Sequence, residues 1–136
     1  MTLEYAILAD AAKVRDGLLF LLGGGITDVS LASIPGPLNA SLAIMYACTR
    51  AEMMREHQFE IRFVDEDGQP SPDLQSIHGV IPAQSAPKAE GRIGAVLELQ
   101  SVAITRPGTY MIDVLLDGRS YKQIPLAIHG PVSAAA

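Results

Sequence analysis

Cysteine, tryptophan and clustered positive charge are what this sequence is short of. Cys48 is the sole cysteine of the 136 residues. No intramolecular disulfide can form, which suits a reducing compartment. The thiol lies in the apolar run "SLAIMYAC" and reads as buried and inert. There is no tryptophan and aromatics make up 5% of the chain, so aliphatic side chains must fill the core. Ten basic residues stand against fifteen acidic ones, a net charge of -5. The basic residues are scattered from Lys13 to Lys122 and leave no electrostatic footprint for phosphates. Nucleic acid and anionic membranes are therefore poor partners. The longest apolar stretch, Gly17 to Ile26, is about half of what a bilayer crossing needs. "MTLEYAILAD" has no basic start and carries Glu4 and Asp10, so it does not read as a signal peptide. The expectation is a cytoplasmic protein, or one delivered without a cleaved signal.

Catalytic motifs are missing as well. "GGG" at Gly23, Gly24 and Gly25 follows an apolar run and invites a phosphate-binding reading. A dinucleotide fingerprint starting at Gly23 matches at Gly25 and fails at Asp28, and "ITDVSLASIPG" is no helix. No Gly-Lys-Ser/Thr follows, and no Gly-x-Ser-x-Gly occurs anywhere. His57, His78 and His129 form no His-x-His and no helical pair. They are expected to be three unrelated, half-exposed histidines. No cofactor is implied, and no catalytic residue is assigned.

What is present is period-two alternation. "HQFEIRFVDEDG" puts Phe59, Ile61 and Phe63 on one side and Glu60 and Arg62 on the other, then turns at Gly68. "TYMIDVLLDG" places Tyr110, Ile112, Val114 and Leu116 inward and ends in Asp117-Gly118, a hairpin signal. "RSYKQIPLAIHG" returns, with Pro125 restricted to an edge or a bulge. Leu3, Tyr5 and Ile7 alternate in the first strand, and "LLFLLGGG" reads as a buried strand ending at the glycines. "DVSLASI", "NASLAIMYACT", "LQSIHGVI" and "IGAVLELQSVAI" complete the set, the last with a bulge near Gln100-Ser101. "TRAEMMREH" reads as one short helix near residues 50–56, capped at Thr49 or Arg50, or as a loop.

Eight or nine strands with turn signals about every 8–12 residues predict an all-β protein. The expected architecture is an immunoglobulin-like antiparallel β-sandwich over residues 1–130, followed by a flexible tail, 131–136; a barrel is the competing arrangement. Pro107-Gly108 delivers the chain to Tyr110, a residue placed to anchor a corner by bonding backbone upstream. Asp10 is expected half buried, bonding backbone N–H groups or pairing with Lys13 or Arg15. At least one of Gly23, Gly24 and Gly25 should have positive φ, since a bulge or tight turn there needs it.

Three blocks, "LEYAILADAAKVRDGLLFLLGGG", "FEIRFVDEDGQP" and "ITRPGTYMIDVLLDGRSYKQIPLAI", cover nearly the whole chain. Their order resembles a family of small uncharacterised bacterial β-sandwich proteins. The resemblance implies a fold and brings no catalytic residues with it. The functional expectation is a non-enzymatic protein acting through protein–protein contact, by self-association or as an accessory subunit. "LLFLLGGGI" is a self-pairing edge if nothing covers it. The alternative is a module binding a sugar or a metal ion through Asp65, Glu66, Asp67 and Asp117. An enzyme built on Asp10 and a histidine is the third reading.

Overall fold

The computed structural model describes residues 1–71, 74–85 and 90–131. The tail expected to be flexible lies almost wholly outside them. Eleven strands and one short helix occur among the described residues. In chain order the strands are β1 (Thr2–Arg15), β2 (Leu18–Gly24), β3 (Asp28–Ser30), β4 (Gly36–Pro37) and β5 (Ser41–Thr49). The helix α1 (Arg50–Met53) follows, then β6 (His57–Val64), β7 (Ile77–Ile81) and β8 (Glu90–Glu98). β9 (Ala103–Ile104), β10 (Gly108–Leu116) and β11 (Arg119–His129) complete the chain. The protein is all-β. No helix among the described residues is long and apolar enough to cross a membrane.

One sheet has the order β2-β1-β5-β8 and a second the order β3-β11-β10-β6-β7. β4 and β9 form a separate two-stranded pair. Pairing is antiparallel except between β3 and β11. The two large sheets share one core. Leu8, Leu42, Ile44 and Tyr46 come from the first, and Ile61, Phe63, Ile112, Val114 and Leu126 from the second. Burying each such side chain is worth about 1.5–3 kcal/mol. The inward residues read in β6 and β10 are found inward, but in β10 Asp113 and Leu115 of the other parity are buried as well. Ile61, Phe63, Tyr110, Ile112, Val114 and Leu116 face inward, while Glu60 and Arg62 pair outside at 2.8 Å.

Three local expectations are corrected. The register of β1 shifts between Leu3 and Tyr5. Such an irregularity flips the faces beyond it, so Ala6 and Leu8 enter the core while Tyr5 is turned out. Gln100-Ser101 is a turn and not a bulge within one strand. β8 stops at Glu98, and Val102 N–H donates to the Leu99 carbonyl at 3.0 Å before β9 begins. "DVSLASI" forms only the three-residue β3. The helix is a single turn with a capping box: Glu52 N–H donates to Thr49 Oγ1 and Thr49 N–H to Glu52 Oε1.

Candidate functional site

The glycines carry the chain from one sheet to the other. Gly23 and Gly25 have φ of 65° and 93°. Gly25 and Ile26 both donate their N–H groups to the Leu8 carbonyl, at 2.8 and 3.0 Å. Two donors converging on one acceptor is a bulge, and it ends the pairing of β2 with β1. Thr27 then accepts from Ala127 N–H at 2.9 Å, and β3 runs alongside β11. A side chain at Gly23 would begin 3.0 Å from Asp10 Cβ, so the position demands glycine on two counts.

β2 itself overturns the expectation of a buried strand. Leu18, Phe20 and Leu22 are 58%, 51% and 67% exposed. The reason lies in how far β1 reaches. β1 pairs with β5 over Thr2–Ala9 and with β2 over Ala9–Arg15, so the β1–β2 hairpin runs past the body of the sheet. The hairpin curls over the outer face of β5 and β8. Met45 Cε and Val14 Cγ2 each lie 3.2 Å from where a side chain on Gly94 would start. Leu19 and Leu21 line a hollow of about 280 Å³ with Tyr5, Ile7 and Met45. Phe20 and Leu22, of the other parity, lie outside it, while Leu18 reaches its rim. Asp10, on β1, is exposed rather than half buried, and no side-chain hydrogen bond or ion pair reaches it among the described residues.

β2 is also an edge, and it differs from the others. β8 carries Arg92 and Glu98. β7 has five residues, among them Gly79 and an exposed His78. β3 has three residues and covers only Ala127–His129, so β11 is an edge at Arg119, Lys122 and Pro125. Charge, brevity and proline are the devices that blunt a sheet edge. β2 has seven residues, all apolar or glycine, and carries none of these devices.

The remaining sequence candidates fall at two opposite ends of β6. At its C-terminal end, Asp65 Oδ1 accepts the N–H groups of Asp67 and Gln69 at 3.0 and 3.1 Å. Glu66 Oε1 accepts Thr109 N–H at 2.9 Å, and Gly108 has φ of 149°. Tyr110 Oη donates to the Arg106 carbonyl at 2.8 Å, the upstream backbone bond expected of it. These turns border a hollow of about 200 Å³. At the N-terminal end of β6, Asp117 Oδ1 accepts Gln58 N–H at 3.0 Å and Asp117 Oδ2 meets His57 Nδ1 at 2.6 Å. Asp117 and Gly118, with φ of 50° and 79°, make the turn read from Asp-Gly. Asp117 is thus separated from the acidic triplet it was grouped with. Among the described residues no three acidic, histidine or cysteine side chains gather to hold a metal.

His57 is the residue the sequence reading missed. It is buried, not half exposed, and its Nε2 lies 2.6 Å from the Glu52 carbonyl. Its two nitrogens face the Asp117 carboxylate and the Glu52 carbonyl, so the ring ties α1 to the β10–β11 turn. Partial burial pushes the Asp117 carboxyl up. The hydrogen bonds from His57 and Gln58 and the charges of His57 and Arg55 outweigh it, so the carboxyl lies below its ordinary value. Glu52 is held at about 2, first by its hydrogen bond from the Met1 ammonium and then by Thr49 N–H. Burial, then the Glu52 carboxylate, pushes the Cys48 thiol up. Burial likewise pushes Tyr46 up to about 12.

Comparison with known proteins places the chain in a family without an assigned role. The sequence profile described as Family of unknown function (DUF6941) matches residues 4–129, and the chain belongs to that family. No curated protein matches it. Among solved structures, it is similar to a Pseudomonas fluorescens alkylpurine DNA glycosylase, AlkC, bound to DNA containing an abasic site analog. That match has 13% identity and a TM-score of 0.42, over 76% of this chain and 27% of the other. A glycosyl hydrolase family 2 member from Bacteroides cellulosilyticus matches at 11% identity and a TM-score of 0.36, over 72% and 13%. This chain thus spans about a quarter of the first and an eighth of the second. Likenesses of this size carry no argument about activity.

Proposed function

We propose that this member of the family works by protein–protein contact and not by catalysis, and that the contact surface is the open edge of β2. One observation carries the reading. Among the described residues, β2 alone of the edges of the two large sheets is long, free of charge and lined by exposed leucines and a phenylalanine. Natural sheets suppress such edges unless a partner covers them. Strand addition there would pair the free backbone groups and bury Leu18, Phe20 and Leu22.

Support for a non-enzymatic role comes from how the reactive groups are occupied. The Cys48 thiol is buried and its pKa raised, the opposite of an activated nucleophile. His57 spends both ring nitrogens on structural contacts. The same reading makes the chain an immunoglobulin-like sandwich, with Tyr110 holding its corner. It places the protein in a bacterial cytoplasm, where a lone thiol stays reduced. Scattered basic residues make a protein surface, not nucleic acid or membrane, the partner.

The test is affinity capture from native lysate with wild-type chain and Phe20→Lys as parallel baits. The reading expects at least one protein, this chain included, to be retained by wild type and lost from the variant. Identical retention by a folded Phe20→Lys overturns it.

A further inference from the structure

We infer that the occupant of the β2 edge is a second copy of this chain, paired antiparallel about a two-fold axis through Phe20. This rests on the reading of β2 as a protein-contact edge and adds what covers it. The argument starts from the order of residues. Gly17-Leu18-Leu19-Phe20-Leu21-Leu22-Gly23 is a palindrome. A two-fold interface is isologous, so that residue i meets j and j meets i. Centring the pair on Phe20 sets Phe20 against its own copy, Leu18 against Leu22 and Leu19 against Leu21. Every position then meets an apolar side chain of matching kind.

The backbone is symmetric in the same sense. Gly17 and Gly23 have φ of 74° and 65°. Extended geometry is broken at both glycines, so the segment able to pair is the leucine–phenylalanine run between them. The charges agree with self-pairing as well. No ionisable residue lies between Asp16 and Asp28, so two copies bring no like charges into opposition on the paired strands. Lys13, the cross-strand neighbour of Phe20, sits on β1. The two copies of Lys13 are then separated by three strand spacings, about 14 Å, beyond a Debye length at physiological salt. A partner of unrelated sequence would meet the leucines but would have no reason to match the palindrome. The Leu18, Phe20 and Leu22 face gives each copy an apolar stripe on one side of the new pair. The opposite parity brings each copy's Leu19 and Leu21 hollow beside its partner's.

The interface is short, at the small end of specific contacts, below about 1,200 Å² in total. Association should therefore depend on concentration.

Cysteine scanning reads the register directly. Cys48 is buried, and Cys48→Ala removes it from the chemistry. In that background, Phe20→Cys should crosslink into a disulfide dimer under mild oxidation. Leu18→Cys and Leu22→Cys should each stay monomeric, whereas the double variant should crosslink. Directly opposed residues have Cα atoms about 4.5–5.5 Å apart, within disulfide reach. A self-pair at residue 18 would be displaced by four residues, about 13 Å along the strand, well out of reach. Phe20→Lys tests the contact without cysteine, and should weaken association at least tenfold. Crosslinking at 20 but not at 18 or 22 alone supports the inference. Equal crosslinking at all three positions, or none at 20 in a chain that circular dichroism shows folded, overturns it. If the wild type stays monomeric yet captures a partner that Phe20→Lys does not, self-pairing fails and the protein-contact reading survives. If neither occurs, both fail.

Discussion

Single residues hold the ends of this fold together by hydrogen bonds, and those bonds differ in how legible they were. Tyr110 could be read in advance because its acceptor, the Arg106 carbonyl, is four residues upstream across a Pro-Gly turn. Tyr110→Phe removes that donor and should cost about 1 kcal/mol. It would be read as a lower urea midpoint at unchanged m-value; an unshifted midpoint would mean that the bond does not hold the corner. His57 could not be read, since its partners lie five and sixty residues away and meet only in the folded chain. The Glu52 carboxyl leads to a pH prediction. Its folded value of about 2 lies below its ordinary 4.5. A carboxyl depressed on folding contributes stability that is complete above its unfolded value and is lost as pH falls towards the folded one. The melting temperature should therefore fall between pH 4.5 and 2, with Asp117 and Glu60 adding in the same direction. Glu52→Gln should flatten that decline. Parallel profiles for variant and wild type would show that the contact with the Met1 ammonium contributes nothing.

At the scale of elements, β6 and the first half of β10 were legible because their inward residues keep a period of two, whereas from Ile112 to Leu116 β10 is buried at every position and its pairing with β11 shifts register after Val114. β1 was misread at Tyr5 because one register shift reverses its faces, and alternation alone gives no sign of where the shift falls. β2 was misread for a different reason. An unbroken apolar run is the usual mark of a strand covered on both faces, and coverage depends on what the rest of the chain places nearby. Here the hairpin extends beyond the sheet, and one face of β2 is left outside. The positive φ expected among the glycines after it is found at Gly23 and Gly25, where the chain bulges. Their individual roles give a ranked prediction. Gly23→Ala meets both a positive φ and Asp10 Cβ at 3.0 Å, and should be the costliest of the three. Gly25→Ala meets positive φ in open space, for about 1–2 kcal/mol. Gly24→Ala makes only ordinary contacts at 3.5 Å and should be tolerated. Urea denaturation of the three variants checks the order; a Gly24→Ala variant weaker than Gly23→Ala would contradict the bulge as described.

For the whole molecule, the two sheets explain why the acidic candidates never form one site. Antiparallel strands send consecutive loops to opposite ends, so Asp117 and the Asp65–Asp67 turn are separated by the length of β6. Composition could say that acidic loops exist, but not which end each would occupy. Among the described residues the two large sheets have other edges: β8 carries charge, β3 and β7 are short, and β2 is long and uncharged. That contrast is the basis for assigning contact, and self-contact in particular, to the leucine–phenylalanine palindrome. Light scattering on wild type and Phe20→Lys across a concentration series reaches this claim most directly. The wild-type mass should rise from 14.4 kDa towards twice that value while the variant stays flat. A wild type that remains at 14.4 kDa at every concentration, or a variant that dimerises equally well, would contradict it.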